Sequence, residues 1–383
     1  MKTQILRWAL LILLLVSGVK ILPARQISSA KIQTATLKNP GTPGASVSLY
    51  DAWLAQDVNW IITDPERRAF NTLKDDAERQ NFMESFWDRR DPTPDTVRNE
   101  FKDTHYERML TAQQRFSTPA MKGWDTAQGR IYVMYGPPDN VEANSGPFTL
   151  GPQRTILGTS CEIGSARPVN AYEVWHYDHI RAIDHPVWIA FAELCKAGES
   201  VTVVNEADAG WLNGPPVPNY RLECNGKYDP NNPPAGLQAI DCLWNPPPIH
   251  FKDLEEVVTS HIRYNLVPNE VHVSSTPITD ITSMLLLTIT VKNSDLTCRS
   301  DHGAEHAPVR VFGRFTTPAS RVAHTFEDTM DEPVAYCASG GREYTQSIPL
   351  LVGKYRLSVV LQDVNGDRIG THTEDIQVGR ERD

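Results

Sequence analysis

The sequence predicts an α+β domain followed by an all-β domain, on three observations. Helix start signals and a buried stripe occupy the first third of the chain, the apolar period shortens to alternation near Ile131, and short strands with turn signals fill the C-terminal end. The fold class is therefore N-terminal helical segments packed on a small, mostly antiparallel sheet, followed by an all-β sandwich. At 383 residues the chain exceeds what one core usually organises, so two domains are expected.

The N-terminus places Lys2 and Arg7 beside an apolar run from Trp8 to Val16. Spanning a bilayer takes roughly 20 apolar residues, so this short run, with the small Gly18 and Ala24 after it, reads as an export signal over residues 1–24. Residues 25–45 are polar and aperiodic and read as a flexible tether. Leu49, Trp53, Val58 and Ile61 then lie near helical spacing. Thr63 with Glu66 has capping-box spacing, with Pro65 early in the helix and Phe70 and Leu73 on one face. Asp75 with Glu78 opens the next helix, which carries Phe82, Met83, Phe86 and Trp87. After Pro94 and Asp95, the stripe Val97, Phe101, His105, Met109, Ala112 and Phe116 predicts a longer helix, with His105 a hydrogen-bonded core residue.

The stretch GWDTAQGRIYVMYGPPD predicts a strand over Ile131–Tyr135, stopped by Gly136, Pro137 and Pro138. YEVWHY and the segment from Val187 predict two strands joined by a polar turn, and VTVV a third; this α+β domain covers residues 46–204. Residues 205–250, rich in Pro, Asn and Gly, read as an irregular linker. A connector helix in FKDLEEVVTSHIRY opens the last domain, residues 251–383, and MLLLTITV, PVRVFGRF, RVAHTFED, REYTQSIPL, KYRLSVVLQD and GTHTEDIQV supply its strands. Asn365–Asp367 closes the last hairpin.

The hydrophobic fraction of 40% with 22% charged residues fits a globular protein, and the formal charge of −10 repels phosphate backbones and anionic lipid. Nucleic acid is not an expected partner, nor is integral membrane contact after signal cleavage. Six cysteines, Cys161, Cys195, Cys224, Cys242, Cys298 and Cys337, predict disulfides in an oxidising compartment, with neighbouring pairs joined.

SFWDRRDPTPDTVRNEF, HYERMLTAQQRF, GWDTAQGRIYVMYGPPD and YEVWHY occur in that order, and together they resemble the GWxTD-domain proteins, an exported bacterial family. The resemblance covers Leu49 to Val204, and the C-terminal strands resemble the Ig-like sandwich that often follows. It implies an architecture and no activity. One departure stands out: Ala127 occupies the position of the motif's final aspartate.

Trp124, Arg130, Tyr132 and Tyr135 have the character of an aromatic and basic surface able to stack on a sugar or hold a carboxylate. The reading favoured here is structural: Trp124 plugs the seam between helices and sheet, and Arg130 pairs with Asp88 or Asp91. Arg89, Arg90 and Asp91 suit a helix C-terminus and need no ligand. WHYDHIRAIDHP is the densest ligand cluster, with His176, Asp178, His179, Asp184 and His185; His176 and Asp178 share a strand face and His179 points away. Cys298, His302 and His306 near Cys337 have zinc-ligand types, yet an oxidising compartment favours a Cys298–Cys337 disulfide. DVNGDR at Asp363 departs from a calcium loop because its glycine comes too early.

No nucleophile elbow, HExxH, phosphate loop or dinucleotide fingerprint occurs. The expectation is an exported, non-enzymatic protein, periplasmic, outer-surface or secreted, acting as an interaction or structural module without a cofactor. Its partner would be an envelope or extracellular protein or a glycan. One alternative is a carbohydrate- or peptide-binding module using Trp124, Tyr135, Trp175 and Trp188. The other is a metal-dependent hydrolase centred on His176, Asp178 and His185.

Overall fold

The helix starts are built as the local chemistry dictates. The computed structural model describes residues 48–144, 154–157, 172–180, 183–196, 199–212, 249–301, 304–333, 337 and 339–379. The export signal, the tether, Cys161, Cys224, Cys242 and His302 lie outside the described residues, and Cys195 is described only as backbone.

Ser48 accepts from the Asp51 N–H and starts α1 (Leu49–Ala52), which passes into a π-helical turn over Trp53–Asp57. The capping box forms as predicted at α2 (Asp64–Thr72): the Thr63 N–H donates to Glu66 Oε2 at 3.0 Å, and the Glu66 N–H donates back to Thr63 Oγ1. Asp75 accepts from the Glu78 N–H at 2.8 Å to open α3 (Asp76–Asp88).

α4 spans Glu100–Phe116, so Val97 lies outside it. The start moves because Asn99 takes the cap, accepting from the Lys102 N–H at 2.9 Å, while Thr93–Thr96 forms a turn of its own. His105, Met109 and Ala112 line the buried face as expected.

The largest correction concerns Ile131–Tyr135, which is not a strand. Ala127–Tyr135 is a helix, α5. Thr126 caps it by accepting from the Gly129 N–H at 3.0 Å, and Gly136 ends it at φ 86°, a conformation that favours glycine. Ile131, Tyr132, Val133 and Met134 are all buried, so the run looks alternating while every side chain faces protein.

The first sheet contains β1 (Asn140–Asn144), β2 (Arg154–Leu157), β3 (Tyr172–Tyr177), β4 (Val187–Lys196) and β5 (Glu199–Asn205). It is antiparallel throughout, in the order β1-β3-β4-β5-β2. Trp175 of β3 fastens the helices to it: its ring lies 5.6 Å from Phe116 of α4 and 4.7 Å from Phe191 of β4. The plug of that seam is thus Trp175 and not Trp124. The predicted linker opens with a helix, α6 (Glu206–Leu212), which buries Leu212 and Asp208.

After α7 (Lys252–Thr259) comes the sandwich. Its strands are β6 (Glu270–Pro277), β7 (Thr282–Lys292), the short β8 (Arg299–Asp301) and β9 (Ala304–His306), β10 (Val309–Thr316), β11 (Val322–Met330), β12 (Gly341–Leu351), β13 (Gly353–Asp363) and β14 (Arg368–Val378). Sheets β12-β7-β6 and β11-β10-β13-β14 enclose a core that includes Leu285, Leu287, Ile289, Val311, Phe315, Leu357 and Leu361. All six predicted strands form; β6, exposed along most of its length, joins them. At the β12–β13 corner the Tyr355 hydroxyl donates to the Leu351 carbonyl at 2.8 Å, as in the tyrosine corner of Ig-type sandwiches.

Cys298 and Cys337 form a disulfide, with Cα atoms 6.2 Å apart and a sequence separation of 39. Closing a loop of that length in the unfolded chain is worth about 4 kcal/mol on the chain-entropy model. The described residues from Ser48 to Gly379 fall within one compact unit.

Candidate functional site

The GWDT corner is assembled by close backbone approach. A Cβ on Gly129 would sit 1.8 Å from the Gly123 carbonyl oxygen, and one on Gly123 would sit 2.1 Å from the Ala112 carbonyl oxygen. Only glycines allow the Gly123–Asp125 turn to lie between α4 and α5. Thr126, besides capping α5, donates its hydroxyl to the Gly123 carbonyl at 2.8 Å. The corner therefore holds Trp124 in one orientation.

Trp124 is 5% exposed, and its indole N–H donates to the Ile278 carbonyl at 3.1 Å, across 154 residues of sequence. Trp60 donates to the Trp124 carbonyl at 3.0 Å, and the Arg130 guanidinium lies over the Trp60 ring, 5.0 Å from its centre. Tyr132 is buried against Phe116 and Trp175. Tyr135 is half-buried, and burial pushes its hydroxyl up to about 12, with Arg130 opposing. The four motif side chains do not form one exposed stacking surface. Trp175 is buried as well, and Trp188 is half-buried.

Ile278 belongs to the β6–β7 turn, which enters the helical half like a plug. Ile278, Ile281 and Met284 are part of the same apolar core as Trp53, Phe86 and Trp124. Polar groups surround the plug. Gln56 exchanges two hydrogen bonds with Asp280, to its backbone N–H at 3.0 Å and its carboxylate at 2.9 Å. Asp57, 1% exposed, accepts from Thr279 Oγ1 at 2.7 Å, Tyr106 Oη at 2.8 Å and Thr282 Oγ1. Its backbone carbonyl accepts from His105 Nε2 at 2.7 Å, which fixes the Nε2–H tautomer. Burial pushes the Asp57 carboxyl up to about 6 against those three hydroxyls, and pulls His105 down to about 4.

Arg89, Arg90 and Asp91 lie elsewhere, inside the helical half. Glu66 Oε1 accepts from Arg89 at 2.9 Å and from Arg90 at 3.0 Å, and Oε2 accepts from Arg90 at 2.9 Å. Arg90 also donates to the Phe86 and Ile61 carbonyls and lies 3.7 Å over the Phe86 ring. Burial acts to raise Glu66, but Arg90 and then Arg89 outweigh it and hold the carboxyl at about 2. Asp91 accepts from the Thr93 N–H at 2.9 Å.

The trio of the alternative metal reading, His176, Asp178 and His185, is not gathered in one place. His176 Nε2 lies 3.2 Å from Glu142, the Asp178 N–H binds Asp139, and His185 bridges Asp184 and Asp208 at 3.2 and 2.9 Å. Among the described residues no group of three or more His, Cys, Asp or Glu side chains gathers to hold a metal ion. Asp363 of DVNGDR is buried, with Oδ2 accepting from Arg368 at 2.7 Å and from the Thr297 N–H at 3.0 Å.

Open spaces among the described residues include a groove and a smaller cavity. A groove of about 760 Å³ runs beside α7 along β10, β13 and β14. Within it Arg356 is paired with Asp375 and Arg314 with Glu255. A smaller cavity of about 160 Å³ lies where α3 and α4 face the sandwich, with Lys102, Tyr106, Thr282 and Arg321 among its lining. Sequence reasoning missed Asp57, Lys102, Thr279 and Thr282. For Asp57 and Lys102 the sequence signal is an ionisable residue beside apolar ones, Asp57 before Val58 and Lys102 after Phe101, and the two threonines carry none.

Residues 50–148 match the family model of the GWxTD domain. No curated protein matches the chain. Among solved structures, a β-glucuronidase of Bacteroides uniformis matches at 13% identity, covering 30% of this chain and 14% of its own, with a TM-score of 0.23. A glycosyl hydrolase family 2 member from Bacteroides cellulosilyticus matches at 11% identity, covering 62% of this chain and 26% of its own, also with a TM-score of 0.23. The chain thus spans only a minor part of either structure. No helix among the described residues is long and apolar enough to cross a membrane.

Proposed function

We propose that the chain is an exported, non-enzymatic interaction or structural module of the bacterial envelope or exterior, in which the helical half holds the sandwich in one orientation. One observation carries this reading: Trp124, Gln56 and Asp57 all bind the Ile278–Thr282 turn, so side chains around the motif serve to join the two halves. The basic, short-apolar N-terminus and the Cys298–Cys337 disulfide support export, since disulfides persist in oxidising compartments. The groove beside α7 is the surface such a module offers to an envelope protein or a glycan.

The test is a broad panel of esters, peptides and glycosides offered to the purified protein. No turnover above background is expected; turnover abolished by one substitution in a folded variant would overturn the non-enzymatic reading. Cell fractionation tests export separately. The expected result is protein outside the cytoplasm beginning near Arg25, and full-length protein confined to the cytoplasm would defeat that part.

A further inference from the structure

The cavity between the helices and the sandwich has a composition that the joining role does not require. Its volume of about 160 Å³ is the liquid-volume share of about five water molecules. Met83 and Trp87 of α3, Val322 of β11 and Leu350 of β12 give it apolar walls. Tyr106 and Thr282 also line it, and both hydroxyls are committed to Asp57. Two cations, Lys102 and Arg321, line the same space. Arg321 forms an ion pair with Glu84, another lining residue, and so links α3 to the sandwich. Lys102 is half-buried, and among the described residues its ammonium has no hydrogen bond or ion pair.

Lys102 lines the open cavity and its ammonium is not sealed from solvent, so an anion can reach it without displacing a protein partner. The acids near Lys102 attract it without forming an ion pair with it. Asp103 is bound by Arg98 at 2.9 Å, and Asp57 by three hydroxyls. Asp88 attracts Lys102 from the end of α3, yet burial still draws the Lys102 pKa down against Asp103, Asp88 and Asp57 together. His324 of β11 adds no anion; burial holds it neutral, at about 3.

We propose that this cavity is a binding site for a short aliphatic monocarboxylate, whose carboxylate pairs with Lys102 and whose hydrocarbon tail lies against Met83, Trp87 and Leu350. A single uncommitted cation and apolar walls match one carboxylate on a small tail, whereas a phosphate calls for several donors. Because the cavity is lined from both halves, such a ligand also strengthens their union by mass action.

Butyrate is the probe, titrated calorimetrically into the purified protein, with butyramide as its uncharged counterpart. The expected result is one saturable site, a rise in melting temperature with butyrate, and much weaker binding of butyramide. Lys102→Met should weaken butyrate by about tenfold or more, while the unliganded variant melts no lower than the parent because among the described residues Lys102 makes no hydrogen bond or ion pair to lose. Ala323→Leu, which narrows the cavity and keeps Lys102, should weaken butyrate as well. Absence of saturable butyrate binding by folded parent protein, equal binding of butyramide, or unchanged affinity in folded Lys102→Met would each overturn the proposal. Equal binding of chloride would reduce the site to an adventitious ion only and overturn it too.

Discussion

Glu66 and Asp57 are both carboxylates shut away from water, one inside the helical half and the other where that half meets the sandwich. Glu66 faces two guanidinium groups and stays ionised down to about pH 2, whereas Asp57 is bound by hydroxyls, with Lys102 a lesser influence, and holds its proton up to about pH 6. The chemistry of the partner decides the outcome: full positive charges repay the loss of hydration, and hydroxyl dipoles repay part of it. Charge compensation therefore braces α2 against the end of α3, while around Asp57 the junction between the halves relies on hydroxyl hydrogen bonds and apolar packing.

The sharpest way to break this contrast is Glu66→Ala. It removes the carboxylate shared by Arg89 and Arg90 in the interior and should cost about 3–5 kcal/mol in urea unfolding. A loss below about 1 kcal/mol, the range of exposed pairs, would mean that water reaches the guanidinium groups. Trp124→Phe tests the junction: the Ile278 carbonyl loses its donor while most of the ring packing stays, a loss of about 1–3 kcal/mol. An unchanged denaturation midpoint would show that this hydrogen bond does not help hold the halves together.

Acid sharpens the comparison. Asp57 titrates at about 6 in the folded chain and at about 3.9 when unfolded, so between those values only the folded state holds the proton. Its contribution to stability grows as pH falls through that window. His105 titrates at about 4 when folded and at about 6.5 when unfolded, so its contribution is lost as pH falls, and the two largely offset each other between about pH 4 and 6. Glu66 adds a loss at lower pH, from its unfolded value of about 4.3 down to its folded value of about 2. Asp57→Asn removes the first contribution and leaves the others. The stability of the variant should then fall with acid more steeply than that of the parent, by up to about 1.4 kcal/mol per pH unit. Parallel curves from pH 4 to 6 would show Asp57 already ionised at pH 5.

The smallest effect belongs to the motif's missing aspartate. Ala127 is the first residue of α5, directly after the Thr126 cap. A carboxylate there meets the positive end of the helix, so Ala127→Asp should stabilise the helical half by about 0.3–1 kcal/mol. Destabilisation would mean that the half-buried position resists charge more than the helix end rewards it.

What the sequence disclosed follows from how local each cause is. Thr63 with Glu66 and Asp75 with Glu78 bond within one turn, so spacing alone located those helix starts. The sandwich strands alternate because one face of each sheet meets the core, and β6 escaped notice because only Val271 and Val273 lean inward. α5 was illegible because Ile131–Met134 is buried on every side, and a helix enclosed by protein has lost the polar face that reveals its period. The junction was hidden for another reason. Asp57 meets Thr279 and Thr282 across 222 and 225 residues, and no local pattern in either stretch points to the other.

The plug also bears on where this domain ends. The family match stops at residue 148, yet the apolar core it defines is completed by Trp175 and by Ile278, Ile281 and Met284. A fragment cut at that boundary would open the pocket left by three aliphatic side chains to solvent and deprive Asp57 of two of its three hydroxyl donors. Grafting a foreign sandwich onto these helices must likewise import a turn with two threonines three positions apart, so the halves are interchangeable only together with that turn.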